Sequence, residues 1–129
     1  MNVKNLHPSI GPHEGLELEL MLENKKNISL FYSNYEIPDG FNKYIKDKVF
    51  FLKKVEFKTL VKGFYIDFFI IYKENCEEDV EFLIFNIKKS IESYNFNPDV
   101  ERNIGKLLGY SDNDIEFYIE NSIKNKKKE

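Results

Sequence analysis

Both histidines of this 129-residue chain lie near its start, at His7 and His13. His13 is followed by Glu14 and stands four residues before Glu17, which gives the spacing HExxE. Residues four apart share one face of a helix, and the HExxH motif uses this spacing to bind zinc through two histidines. A carboxylate can replace one of these histidines as a metal ligand. One hypothesis is therefore a site for zinc or another divalent metal formed by His7, His13, Glu14 and Glu17.

The same stretch, HPSIGPHEGLELEL, also has an interpretation without a metal. Pro8 and Pro12 stiffen the backbone, while Gly11 and Gly15 allow a close approach by another chain. A stiffened segment loses less entropy on binding, which suits a contact surface. Alternatively, the segment leads into a helix that begins near Pro12 and carries carboxylates at its amino terminus. The sequence leaves these alternatives open.

Other catalytic chemistry finds little support. The chain has no glycine-rich phosphate loop, no GxSxG motif and no CxxC pair. Its single cysteine, Cys76, is surrounded by acidic residues that disfavour a thiolate. Arg102 is the single arginine, which excludes a phosphate clamp built from several arginines. These observations favour a non-enzymatic protein without a cofactor.

The charge distribution indicates the kind of partner. The net charge is -3, and the last six residues, 124–129, carry four lysines and one glutamate, or +3. The rest of the chain therefore carries -3 minus 3, or -6. An acidic body disfavours direct nucleic-acid binding and suits a protein partner with a basic surface. We expect the lysine-rich tail at 124–129 to be frayed.

We therefore expect a small binding protein that acts by occupying a larger partner, such as an immunity or inhibitor protein against a protein that acts on nucleic acids. The expected contact surface combines acids of the opening stretch with acids of the last helix, and tyrosines as aromatic anchors. Its residues are Glu14, Glu17, Glu19, Tyr110, Asp112, Asp114, Glu116 and Tyr118.

The periodicity predicts a single α+β domain over residues 1–129. Strands are expected at about 28–33, 49–59 and 64–73, forming a small antiparallel sheet. The segment 64–72 is nearly all apolar, which is typical of a central strand. An N-terminal helix, a short helix from Phe41 to about Lys46 and three C-terminal helices complete the chain, and we expect the N-terminal and C-terminal helices to pack on one face of the sheet.

The remaining expectations concern location and assembly. A single cysteine fits a reducing compartment, and no apolar run is long enough to span a membrane, so we expect a cytoplasmic protein. A three-stranded sheet leaves edges exposed, which makes a homodimer through a sheet edge possible.

Overall fold

The computed structural model describes residues 13–93 and 95–127, and it confirms the α+β class. In chain order the elements are α1 (Glu17–Leu22), β1 (Ile28–Phe31), a short 3-10 helix (Asn34–Glu36), α2 (Phe41–Lys46), β2 (Phe50–Lys58), β3 (Tyr65–Lys73), α3 (Glu77–Glu92), α4 (Pro98–Leu107) and α5 (Asp112–Lys127).

The three strands form an antiparallel sheet in the order β1-β3-β2. The apolar strand β3 is central, as the sequence predicted. It pairs with β2 over its whole length, from Phe50 opposite Lys73 to Lys58 opposite Tyr65. It pairs with β1 over four residues, from Ile28 opposite Tyr72 to Phe31 opposite Phe69. Strands β2 and β3 therefore form one long hairpin, and β1 extends it along half of β3.

The helices cover both faces of the sheet, which corrects the expectation of a single covered face. Helices α3, α4 and α5 pack on the face that carries Leu30, Phe68 and Ile70. Met21 of α1 and Phe41 of α2 pack on the opposite face with Phe31, Phe50 and Ile71. The physical reason lies in β3, since alternate residues of a strand point to opposite faces. Its buried Phe68, Ile70 and Ile71 therefore require cover on both sides.

Side-chain caps mark the starts of two of the three C-terminal helices. The Asn97 side chain accepts hydrogen bonds from the backbone N–H groups of Asp99 and Val100, at 3.0 and 3.4 Å. The Ser111 hydroxyl accepts one from the Asp114 N–H at 3.1 Å. Each cap satisfies backbone N–H groups that a helix leaves without partners in its first turn.

The first helix begins later than predicted. Pro12 lies outside the described residues, and residues 13–16 form a turn in which the Leu16 N–H donates to the His13 carbonyl at 2.8 Å. Gly15 has a φ of +83°, which interrupts a helical path and favours glycine. Helix α1 can therefore begin only at Glu17.

At the other end, α5 continues to Lys127, so most of the predicted tail at 124–129 is helical. That this end frays stays a prediction. Within residues 13–93 and 95–127, no helix combines the length and the apolar character needed to cross a membrane.

Helices α4 and α5 approach closely at Gly105. A Cβ atom at this position would lie 2.6 Å from Cγ1 of Ile115. Alanine normally favours a helix over glycine by about 1 kcal/mol, but overpacking a core typically costs about 1 to 3 kcal/mol. We expect Gly105→Ala to destabilise the protein in urea unfolding. The neighbouring exposed Lys106→Ala should have little effect, and a Gly105→Ala protein as stable as the wild type would contradict this packing.

Candidate functional site

The Glu17 side chain folds back against the turn that precedes α1. The Gly15 N–H donates a hydrogen bond to Oε1 of Glu17 at 3.1 Å. Although it is a carboxylate, Glu17 is only 3% exposed. Burial disfavours the charged form and raises the pKa of Glu17, opposed by backbone hydrogen bonds and by the charge of Lys26.

Lys26 lies between α1 and β1 and is only 2% exposed. Its Nζ donates a hydrogen bond to Nδ1 of His13 at 2.9 Å. The same Nζ lies 5.1 Å from the centre of the Tyr110 ring, over its face. In place of water, the ammonium group therefore contacts a neutral imidazole and an aromatic ring face. Both of these attract a cation.

Burial and mutual charge shift the pKa values of this pair. Burial lowers the pKa of Lys26 to about 8, opposed by the nearby charge of Glu17. Burial, with the charge of Lys26 second, lowers the pKa of His13 to about 4, while Asp114 acts in the opposite direction. His13 is therefore neutral at pH 7, as it must be for Nδ1 to accept from an ammonium. The imidazole proton then lies on Nε2.

Tyr110, from the segment between α4 and α5, is the third member of the cluster. Its ring meets the His13 ring edge-to-face, with centroids 4.5 Å apart and planes at 79°. Within residues 13–93 and 95–127, its buried hydroxyl finds no hydrogen-bond partner. Burial, with the charge of Glu17 second, raises the pKa of Tyr110 far above its usual value. The hydroxyl therefore stays protonated at every physiological pH.

Gly109 explains how Tyr110 reaches Lys26. The chain leaves α4 through Gly109, which has a φ of +82°. A Cβ atom there would lie 3.1 Å from Cβ of Lys26 and 3.5 Å from the carbonyl oxygen of Lys25. Glycine is therefore favoured twice, by the backbone conformation and by the close approach of the 25–26 backbone.

The structure brings the opening turn next to the start of α5, the two segments that carry most of the predicted contact residues. The contact between His13 and Tyr110 places the opening turn beside the start of α5, and the charge of Asp114 acts on both of these rings. Glu14, Asp112 and Asp114 are exposed. Among the described residues, no lysine or arginine forms an ion pair with these three carboxylates.

Two residues of that surface need correction. Glu17 and Tyr110 are 3% and 5% exposed, so they lie beneath the surface and support it instead of presenting side chains to a partner. The sequence did not indicate this because the alternation of leucine and glutamate in 16–20 says nothing about which glutamate faces inward.

The other predicted residues lie at its margin or apart. Glu19 is exposed on α1. Glu116 forms a bidentate pair with Arg102, at 2.9 Å from Nε and 3.0 Å from Nη2, so its charge is already matched. Tyr118 packs against Phe96, with ring centroids 6.3 Å apart, and burial raises its pKa to about 12. Tyr118 therefore contributes to helix packing and is not an exposed aromatic anchor.

A cavity of about 300 Å³ lies next to the opening turn. Its lining residues are Glu14, Gly15, Glu17, Phe31, Glu36 and Pro38. Glu36 is held in place because one of its oxygens accepts from the Tyr32 N–H at 2.9 Å. Three carboxylates beside an aromatic ring and a proline suit a cationic group with an apolar stem, such as a lysine or arginine side chain.

The metal hypothesis stays a prediction. His7 lies outside the described residues. Nδ1 of His13 is occupied by Lys26, and Oε1 of Glu17 by the Gly15 N–H. In the part of the chain that the structure describes, no three His, Cys, Asp or Glu side chains form a group that could hold a metal ion.

Lys26 is the residue that sequence reasoning missed. Nothing in the local pattern of Lys25 and Lys26 separates an exposed lysine from a buried one. The burial arises from contacts with His13 and Tyr110, which are distant in sequence. The signal that was available is the glycine before Tyr110, which indicates a close approach of two backbones.

Comparisons with known proteins give no relative for this chain, since no family model, no curated protein and no solved structure matches it.

The Lys26–His13 contact makes a testable prediction about His13. We expect NMR titration to show an imidazole that is neutral at pH 7 and protonates near pH 4. Lys26→Met should raise the pKa of His13, because it removes a neighbouring positive charge. Since the pKa is lowered by folding, protonation of His13 should reduce stability as the pH falls from 6.5 through about 4.

Lys25→Met provides the matched control, because Lys25 is the neighbouring residue but is exposed and pairs with Glu23. It should leave the His13 titration unchanged. A His13 that titrates near its usual value of 6.5 in the wild type would show that the contact does not exist.

Proposed function

We propose that this protein is an acidic binding protein whose surface around the opening turn and the start of α5 docks onto a basic surface of a protein partner. One observation supports the proposal: the ring contact between His13 and Tyr110 brings the turn that carries Glu14 next to the start of α5, which carries Asp114. Unpaired carboxylates on one surface accelerate encounter with a basic partner and select against acidic ones.

The adjoining cavity supports the same proposal. Glu14 belongs both to the exposed surface and to the cavity lining, so the two are continuous. A lysine or arginine of the partner can enter between the exposed Glu14 and Glu36 and place its stem against Pro38. Such an inserted cation is the kind of buried anchor that dominates binding energy in protein interfaces.

The buried cluster then has a supporting role. Lys26 ties the opening turn to the chain after α4, which holds Glu14 and Asp114 at a fixed separation. A preorganised surface loses less entropy on binding. Inhibition of a protein that acts on nucleic acids is one function that fits, since such proteins carry basic surfaces. The single cysteine is consistent with the cytoplasm as the place of action.

The proposal predicts a specific loss of binding on charge reversal. The variant Glu14→Lys, Asp112→Lys, Asp114→Lys should retain about a tenth or less of the partner that the wild type retains from a cell extract, because like charges then face each other. The neutral variant Glu14→Gln, Asp112→Asn, Asp114→Asn should reduce retention less, and raised salt should weaken the wild-type complex.

A matched control carries the same charge change on other exposed residues, Asp47→Lys, Glu74→Lys and Glu92→Lys. It should retain the partner. Circular dichroism and urea unfolding establish that each variant is folded. Equal retention by the two reversed variants would show that the docking surface lies elsewhere.

A further inference from the structure

Strand β2 forms a long open edge of the sheet. It spans nine residues, Phe50–Lys58, and β3 is its one strand neighbour among the described residues. The edge at β1 is shorter, at four residues. An unpaired edge carries backbone N–H and C=O groups that can accept a further strand.

The register with β3 shows which residues of β2 direct their backbone N–H and C=O groups toward the open edge. The Thr59 N–H donates to the Phe64 carbonyl at 3.0 Å, one step beyond the pair Lys58–Tyr65. Hydrogen-bonding residues alternate along an antiparallel pair. The odd-numbered residues of β2 therefore bond to β3, and the even-numbered residues from Phe50 to Lys58 direct their N–H and C=O groups to the open edge.

The outward positions carry alternating charges. Lys54, Glu56 and Lys58 are exposed, and Leu52 before them is 42% exposed. A second copy of the strand can pair here about a two-fold axis, and outward residues must then face outward residues. We propose that two copies of this chain pair antiparallel along β2, with Val55 opposite Val55 of the partner subunit and Lys54 opposite Glu56 of the partner subunit.

Charge selects this register among its neighbours. If the two-fold axis moves by one residue toward the start of β2, Lys54 lies opposite Lys54 of the partner subunit. If the axis moves by one residue toward the end of β2, Glu56 lies opposite Glu56 of the partner subunit. Like charges directly opposite are destabilising, whereas opposite charges contribute. By symmetry the chosen register makes the Lys54–Glu56 pair twice, and each Lys54 also keeps its contact with Asp67, at 3.7 Å.

Apolar side chains are exposed on β2 and on the helix next to it. On one face of the sheet lies Leu52. On the other face, Lys53 pairs with Glu81 at 3.5 Å, which places α3 beside β2. Phe82 and Phe85 follow on α3, are 47% and 52% exposed, and stack on each other with ring centroids 6.5 Å apart. A second copy that extends the sheet to six strands shields Leu52 from water.

Lysines on an edge strand can also serve to keep it unpaired. The two uses differ in their charge pattern. A protective edge repels every strand that approaches it, whereas the sequence Lys54-Val55-Glu56 is complementary to its own antiparallel copy. This pairing uses none of the residues of the proposed acidic docking surface, so the two proposals stand or fall separately.

The test is sedimentation velocity on the full chain, from low micromolar to near-millimolar concentration. The wild type should form a dimer as concentration rises. Lys54→Glu and Glu56→Lys should each weaken the dimer by about tenfold, because each replaces two attractive pairs by two repulsive ones. The doubly exchanged Lys54→Glu/Glu56→Lys variant should dimerise like the wild type.

Mixing the two single variants provides the sharpest readout. The Lys54→Glu variant carries glutamates at positions 54 and 56, and the Glu56→Lys variant carries lysines at both, so the two should form a heterodimer although neither forms a stable homodimer. The control is Lys46→Glu, which makes the same charge change at an exposed residue of α2, and it should dimerise normally. A wild type that stays monomeric throughout, a dimer indifferent to Lys54→Glu, or no heterodimer on mixing would each overturn the proposal.

Discussion

The burial of one ammonium group, that of Lys26, is the constraint on which the candidate site depends. An isolated charge is costly to remove from water, so this lysine needs partners that accept or attract a cation. His13 supplies the acceptor atom and Tyr110 supplies the ring face. These two residues come from opposite ends of the described chain. Satisfying Lys26 therefore joins the opening turn to the segment between α4 and α5.

The rest of the site follows from this junction. Gly109 lets the chain pass close to the backbone at Lys26, and Gly15 lets the opening turn reverse before α1. With the turn in place, Glu17 is buried, whereas Glu14 and Asp114 are exposed. Exposed carboxylates thus lie above a buried cluster of polar groups.

Much of the fold was predictable from periodicity, and the reasons are local. The apolar run in β3 indicated a central strand, and that strand is central in the sheet. Three C-terminal helices were expected and are found, two of them with side-chain caps at Asn97 and Ser111. The placement of α1 on the second face of the sheet was not predicted, because periodicity shows that a helix buries a stripe but not which surface receives it.

The candidate site was predictable only in part. Acids of the opening stretch and of α5 were expected to meet, and the contact of His13 with Tyr110 brings these two segments together. The inward direction of Glu17 and the burial of Lys26 were not foreseen. Both depend on tertiary contacts that no short spacing encodes, and a buried lysine is rare enough that sequence alone argues against it.

Direct titration of the lysine ammonium groups by nitrogen-detected NMR tests the central role of Lys26 most sharply. With Lys26→Met used for assignment, the Lys26 resonance should titrate near pH 8, well below the ordinary lysine pKa of 10.5. The same resonance should show slow exchange with solvent. If Lys26 instead titrates near the ordinary value of 10.5, its ammonium group is hydrated, and the junction between the opening turn and Tyr110 is not held in the way described.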